Sequence, residues 1–174
     1  MATTYTLISS VTVGSGGAAN ITFSSIPATY TDLSLLVSGR SVRTGANTDD
    51  MTLYFNGVST WTNHSWRLLW GTGSAAQSLN GSGSMLIGAY LTTTGGATTS
   101  DFASLSIYIP NYAGSNYKSF SADTVSEQNG TLAYATLTAG LWSDTSAITS
   151  ITVKPNSANF GQYSTAYLYG ISNA

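Results

Sequence analysis

Hydrophobic residues recur at every second position through most of this chain. Tyr5, Leu7, Ser9, Val11 and Val13 fall on one side of an extended segment, with mostly Thr and Ser between them. Ile21 and Phe23 continue the pattern after a turn at Gly14-Ser15-Gly16-Gly17. Leu33, Leu35, Val37 and Gly39 repeat it, as do Leu53 and Phe55, which end at Asn56-Gly57, a hairpin signal. Leu105-Ile107-Ile109, Phe120 to Val125, Tyr134 to Leu141, Ile151-Val153 and Tyr167-Tyr169-Ile171 follow. Gly, Pro or Asn separates most of these runs. The Ala/Leu content of 130–142 offers a short helix, but alternating Thr and Tyr favour a strand there. The pattern predicts about ten or eleven short strands and an all-β, antiparallel β-sandwich of jelly-roll type. Residues 1–174 read as one domain, with 1–4 as a flexible arm. The Gly/Ser-rich stretch 71–84 and the Thr/Gly-rich stretch 92–100 read as loops.

Composition sharpens this picture. Charged residues make up 7% of the chain, against about a quarter in ordinary domains. Ser and Thr supply roughly 30%, so hydroxyls rather than ions hydrate the surface. The five cations, Arg40, Arg43, Arg67, Lys118 and Lys154, are scattered. They form no basic stripe for nucleic acid and no polybasic membrane anchor. With no cysteine, disulfides, thiolate catalysis and Cys-based zinc sites are excluded. No apolar run reaches the ~20 residues of a membrane span, and the N-terminus lacks the features of a signal peptide. Composition of an extracellular type without an export signal fits a virion protein, assembled in a cytoplasm and working outside.

Candidate chemistry is thin. His64 is the single histidine, and no Gly-x-Ser-x-Gly elbow accompanies it, so it reads as a strand-start residue among aromatics. Seven acids (Asp32, Asp49, Asp50, Asp101, Asp123, Glu127, Asp144) show no spacing that marks a glycosidase pair. Asn47-Thr48-Asp49-Asp50 carries oxygen ligands but lacks the spaced acids of a calcium loop, and reads as a turn. The Asn-x-Ser/Thr triplets at Asn20, Asn63, Asn80 and Asn129 match chance for this composition. No catalytic residue, cofactor or metal is expected. Two aromatic groups are candidate contacts for a partner or a glycan: Trp61, Trp66, Arg67 and Trp70 in one segment, and Tyr112 with Tyr117 in another. The reading preferred over this is that Trp66, Leu68 and Trp70 alternate into a core while Arg67 points out, and that the tyrosines pack a loop.

Several phrases are more specific. Tyr5-Thr6-Leu7-Ile8-Ser9-Ser10 is followed by Ser25-Ile26-Pro27-Ala28-Thr29-Tyr30-Thr31-Asp32-Leu33. Later come Leu53-Tyr54-Phe55-Asn56-Gly57, Ile107-Tyr108-Ile109-Pro110-Asn111-Tyr112-Ala113-Gly114, Ala147-Ile148-Thr149-Ser150-Ile151 and the ending Tyr167-Leu168-Tyr169-Gly170-Ile171. Over nearly its whole length the chain resembles a family of virion structural or fibre-associated proteins from tailed bacteriophages of aquatic bacteria. The residues in these phrases are scaffold-like: Pro27 presets a turn, Asp32 bonds the backbone of that turn, Tyr30 packs beneath it, and Gly57 and Gly114 stand where a Cβ is hindered. Leu69-Trp70-Gly71-Thr72-Gly73 departs from the family's Tyr-x-Gly-x-Gly and reads as a loop tuned to a local partner.

The function expected is therefore a capsid decoration or cement protein on the outer surface of the virion, not an enzyme. Its partners would be the major capsid protein or other virion proteins and further copies of itself, with a trimer favoured by the three-fold sites of a shell. About eleven strands account for the chain without a fibre shaft. The alternative is a receptor-binding or fibre-tip domain that grips host surface glycans through Trp/Tyr loops. A depolymerase with an unrecognised carboxylate pair is the third possibility weighed.

Overall fold

The computed structural model describes residues 4–58, 63–83, 86–93, 101–128 and 133–172. Its strands are β1 (Tyr5–Thr12), β2 (Ile21–Phe23), β3 (Asp32–Ser41), β4 (Thr48–Phe55), β5 (His64–Gly71), β6 (Ala76–Ser82), β7 (Leu86–Thr93), β8 (Ala103–Ile109), β9 (Lys118–Ser126), β10 (Tyr134–Trp142), β11 (Ile151–Pro155) and β12 (Thr165–Ile171). The fold is the expected jelly-roll-like all-β sandwich, with twelve strands among the described residues in place of ten or eleven and one parallel pairing, β3 with β7, in an otherwise antiparallel arrangement. The larger layer runs β1-β12-β3-β8-β9-β10-β5-β6, all antiparallel. The smaller layer runs β2-β11-β4-β7.

β3 joins the two layers. Its first part pairs with β12 and β8, and its last residues, Arg40 and Ser41, pair in parallel with Thr92 and Thr93 of β7. Gly39 stands at the transition. A Cβ there would lie 2.8 Å from a Leu91 methyl, so glycine lets β7 close against the bend without displacing that side chain.

In most strands the period-two pattern places the core as expected; in β12 it is inverted, with Ala166 and Leu168 buried and Tyr167 and Tyr169 on the other face. Leu33, Leu35, Val37, Leu105, Ile107, Ile109 and Phe120 face inward from the larger layer, and Ile21, Phe23, Leu53, Phe55, Ile151 and Val153 from the smaller. Phe55 meets Phe120 edge-on at 5.9 Å and Trp142 at 5.5 Å between ring centroids. Gly140 makes room for this contact. A Cβ on it would fall 1.9 Å from the tip of the Phe120 ring.

Three local expectations are corrected. The first strand does not keep one face. A bulge between Leu7 and Ser9 turns Tyr5 and Leu7 to solvent and Ile8, Val11 and Val13 toward the core. Asn56-Gly57 has the positive φ values of a tight turn (53° and 67°), but the chain does not return as a hairpin: β4 pairs with β11 and β7. The Asn56 side chain instead binds the segment before β11, accepting from Thr149 N at 2.8 Å and Ser150 N at 3.1 Å and donating to Ala147 O. The stretches read as loops supply β6 and the end of β7. Ser, Gly and Asn mask a strand whose side chains are mostly exposed. Residues 1–3 of the expected arm lie outside the described residues. Thr4 is already tied down, its carbonyl accepting from Ser172 N at 3.0 Å.

The sheet-to-sheet clasp makes a direct prediction. Phe55→Ala costs about 3–5 kcal/mol of stability, and Gly140→Ala about 1–3 kcal/mol through overpacking against Phe120. Urea unfolding with an unchanged m-value measures both.

Candidate contact surface

The larger layer leaves its outer face open, and the register fixes what lies on it. Leu7 pairs with Tyr169, Tyr169 with Ser34, and Ser34 with Tyr108. One row further, Ser10, Tyr167, Leu36 and Ser106 are neighbours across the same four strands. Tyr5 stacks edge-on against Tyr169 at 6.3 Å. Tyr5 (56%), Leu7 (50%), Leu36 (41%), Tyr108 (40%) and Tyr167 (38%) are all substantially exposed. This is a contiguous aromatic and aliphatic surface over β1, β12, β3 and β8. Isolated exposed apolar residues are ordinary, but clustered ones mark contact sites.

The far side of the same face carries an aliphatic strip. Leu137 pairs with Leu69, and Val125 stands two residues along β9 from Asp123, the other partner of Leu137. All three apolar side chains are about half exposed. A shallow groove of about 390 Å³ runs here between Leu69, Gly71, Ala76, Ala135 and Leu137. Along the strand pairings of this face the formal charges are Asp32, Arg67 and Asp123.

Asp32 is an organiser of the aromatic patch. Its Oδ2 accepts the Tyr108 hydroxyl at 2.8 Å and its Oδ1 accepts Asn111 N at 2.8 Å. The carboxylate thus holds the turn after β8 rather than its own turn, as the sequence had suggested. Its hydrogen bond raises the Tyr108 hydroxyl above the usual phenol range, with burial and the neighbouring charge adding to the effect. Tyr30 does pack under this end of the sheet, against Gly170, where a Cβ would meet its ring at 2.3 Å. Gly57 carries the positive φ already noted, and a Cβ at Gly114 would strike the Asn111 side chain at 2.5 Å.

The aromatic residues singled out from sequence divide differently. Trp66 is 6% exposed and Tyr112 is fully buried, so neither is a surface contact. The Tyr112 hydroxyl donates to Pro27 O, and Trp66 lies against Gly81 of the neighbouring strand. Arg67 points outward and donates to Trp66 O at 2.9 Å. Trp70 is half-buried beside the groove. Tyr117 is exposed (59%) in the turn before β9. Trp61 lies outside the described residues. The tyrosines of β1 and β12 were missed because alternation alone groups Tyr5 with Leu7 and Val11, and Tyr167 with Tyr169 and Ile171, as core faces; Tyr108 falls opposite Leu105, Ile107 and Ile109 and carries no signal beyond being outward. The bulge in β1 decides otherwise, and β12 has a layer on one side only. Leu69-Trp70-Gly71-Thr72-Gly73 ends β5 and turns back through Thr72 N to Ala75 O at 3.0 Å. It borders a cleft of about 370 Å³ with Val125, Glu127 and Tyr134.

The remaining candidate chemistry is engaged in the scaffold. His64 is buried at the start of β5, paired with Trp142. Asp49 is fully buried. It accepts from Ser41 Oγ at 2.7 Å and Ser157 N at 3.0 Å, with Arg43 3.9 Å away. Lys118 is 1% exposed, donates to Asn116 O and lies 5.9 Å from the centre of the Trp142 ring. Burial lowers its ammonium pKa, and Asp144 partly offsets this. Among the described residues no cluster of three His, Asp or Glu side chains has metal-binding geometry, and no helix is long and apolar enough to cross a membrane. No known protein-family model matches the chain, and no curated protein is similar to it.

Two substitutions test this scaffold. Asp49→Ala leaves the Ser157 N–H and the Ser41 hydroxyl without their acceptor and costs about 1–3 kcal/mol for each group, read as a lower urea midpoint. Asp50, beside Asp49, has its pKa raised above the ordinary 3.8, first by burial, then by Asp49, against the pull of Arg43. The folded state therefore holds this proton more tightly than the unfolded chain, and ionised Asp50 is a net cost at neutral pH. Asp50→Asn raises the melting temperature at pH 7. Its advantage shrinks as pH falls through the folded-state value and is gone below the unfolded value, where both states are protonated.

Proposed function

We propose that this protein is a structural component of a bacteriophage virion, a decoration protein seated on the outer surface of the capsid. The observation that carries the reading is the outer face of the eight-stranded layer: broad, nearly free of charge, and studded with tyrosine and leucine. Interface cores are depleted in charge and enriched in aromatics. In support of this reading, some of the phrases that resemble phage virion proteins fall on β1, β8 and β12 of this face, while others lie in the turn before β3 and in the smaller layer. The partner is the major capsid protein. The mechanism is mechanical: surface buried across adjacent capsomers adds interaction free energy to the assembled shell and opposes the pressure of packaged DNA. The working groups are Tyr5, Leu7, Leu36, Tyr108 and Tyr167, acting by shape and contact rather than by bond-making.

Such an interface predicts weak salt dependence. Counterions screen charged contacts but not apolar ones, so binding to purified undecorated heads persists from low salt to about 1 M. Tyr167→Glu with Leu36→Glu abolishes it while the melting curve stays cooperative. Quantitative mass spectrometry of purified particles gives the location: copies on the order of hundreds place the protein on the shell, whereas a dozen or so place it on a tail organelle and sink the proposal.

One observation favours a second reading, recognition of host glycans by a fibre-tip domain. Asp32 beside Tyr108 and Tyr5 joins a carboxylate acceptor to exposed rings, a pairing suited to sugar hydroxyls and sugar faces. Glycan-array binding that is lost on Tyr108→Ala is its expected signature.

A further inference from the structure

The open edges of the two layers are protected to different degrees. β1 carries the bulge at Ile8, which breaks its ladder. β2 is three residues long. Bulges and shortness are ordinary devices that keep a sheet edge from recruiting another strand. β6 has neither. It runs Ala76–Ser82 in unbroken register with β5, contains no proline and no charged residue, and is exposed at every position but Gly81. Among the described residues it pairs with β5 alone.

The strand is also held ready. The Trp66 ring packs closely on Gly81, where a Cβ would come within 2.6 Å of it, and β6 pairs with β5 over its whole length. Leu79 is at its centre. It sits opposite Leu68, which is 4% exposed, yet is itself 53% exposed. Both sides of β6 are open because the four-stranded layer stops short of it.

We infer that β6 is a self-pairing edge: two copies of this chain join antiparallel about a two-fold axis through Leu79, making one continuous sheet. The occupant is a second copy because the strand complements itself. Pairing about Leu79 sets Leu79 against Leu79, Ser78 against Asn80 and Gln77 against Gly81. On one face this builds a single apolar row, Leu68, Leu79, Leu79, Leu68. On neither face do like charges meet, since the strand has none. Like-edge pairing closes at two copies, so the contact gives a dimer in place of the three-fold assembly expected from shell symmetry. It does not depend on the virion reading.

The test is oligomeric state, measured by sedimentation equilibrium across a concentration series. The wild-type chain is expected to be a dimer, and Leu79→Lys to weaken dimerisation by about tenfold or more with an unchanged circular-dichroism spectrum. Leu79→Cys gives a second readout in a chain that has no other thiol. Directly opposed residues of an antiparallel pair have Cα atoms about 4.5–5.5 Å apart, within disulfide range. Leu79→Cys therefore crosslinks to a dimer on mild oxidation, while Ser74→Cys, in the exposed turn before β6, does not. If the lysine variant does not fold, the cysteine variant decides. A monomeric wild type, a dimer that survives Leu79→Lys, or crosslinking equally efficient at both cysteines overturns the inference. So does a wild type that stays monomeric while its β6 accepts a strand from another virion protein.

Discussion

Everything else in the molecule depends on the contact between Phe55 of the small layer and Phe120 and Trp142 of the large one. Two twisted sheets need a dense seam to stay registered, and large rings supply contact area that Ser- and Thr-rich strands lack. The seam requires a missing side chain. Gly140 lies under the Phe120 ring, and no other residue leaves that space. Gly39 plays the same part where β3 leaves one layer for the other, against Leu91. Two absent Cβ atoms thus set the spacing and the closure of the sandwich.

Low charge shapes the interior as much as the surface. Thr124 and Thr136 face one another across β9 and β10 inside the layers, and both are buried. Threonine suits a strand by its branched Cβ, and a neutral hydroxyl is far cheaper to bury than an ion. The ionic groups that do go inside are placed with care. Asp49 gathers a hydroxyl and a backbone N–H around its carboxylate, and Lys118 rests on carbonyls and an indole face. Asp49 ties Ser41 to the distant Ser157, and Lys118 reaches Asp144 O at 3.5 Å as well as the nearby Asn116. A buried charge with full hydrogen bonding costs stability to create, but its loss costs more once the fold has formed around it.

The outside follows the same logic. With few ions to hydrate it, the large sheet presents hydroxyls, tyrosines and leucines. A surface of this kind gains little from electrostatic steering and much from area and shape. Sharing it between a flat face and an uncharged edge gives the molecule two different ways to contact neighbours. The face buries side chains. The edge offers backbone hydrogen bonds.

The residues themselves determined the fold class and most of the strands. Period two is a one-dimensional signal, set by alternation of Cβ direction, and Leu33-Leu35-Val37 or Leu105-Ile107-Ile109 reads plainly without coordinates. Composition likewise determined the poverty of charge and the absence of thiols. Alternation says that two faces differ, but not which one another layer will cover. Tyr167 and Leu168 are equally apolar in sequence, and only the second layer buries one and leaves the other out. A one-residue bulge at Ile8 reverses the sides of β1, and no local signal announces it. Asn56-Gly57 encodes a tight turn, yet the strand that comes to lie beside β4 belongs to residues a hundred positions on. Alternation already favours Trp66 inward and Arg67 outward, but that Gly81 lies against the Trp66 ring and that Pro27 accepts the Tyr112 hydroxyl are facts of tertiary contact. Pairing partners and burial are properties of distant segments meeting, and that meeting exists only in three dimensions.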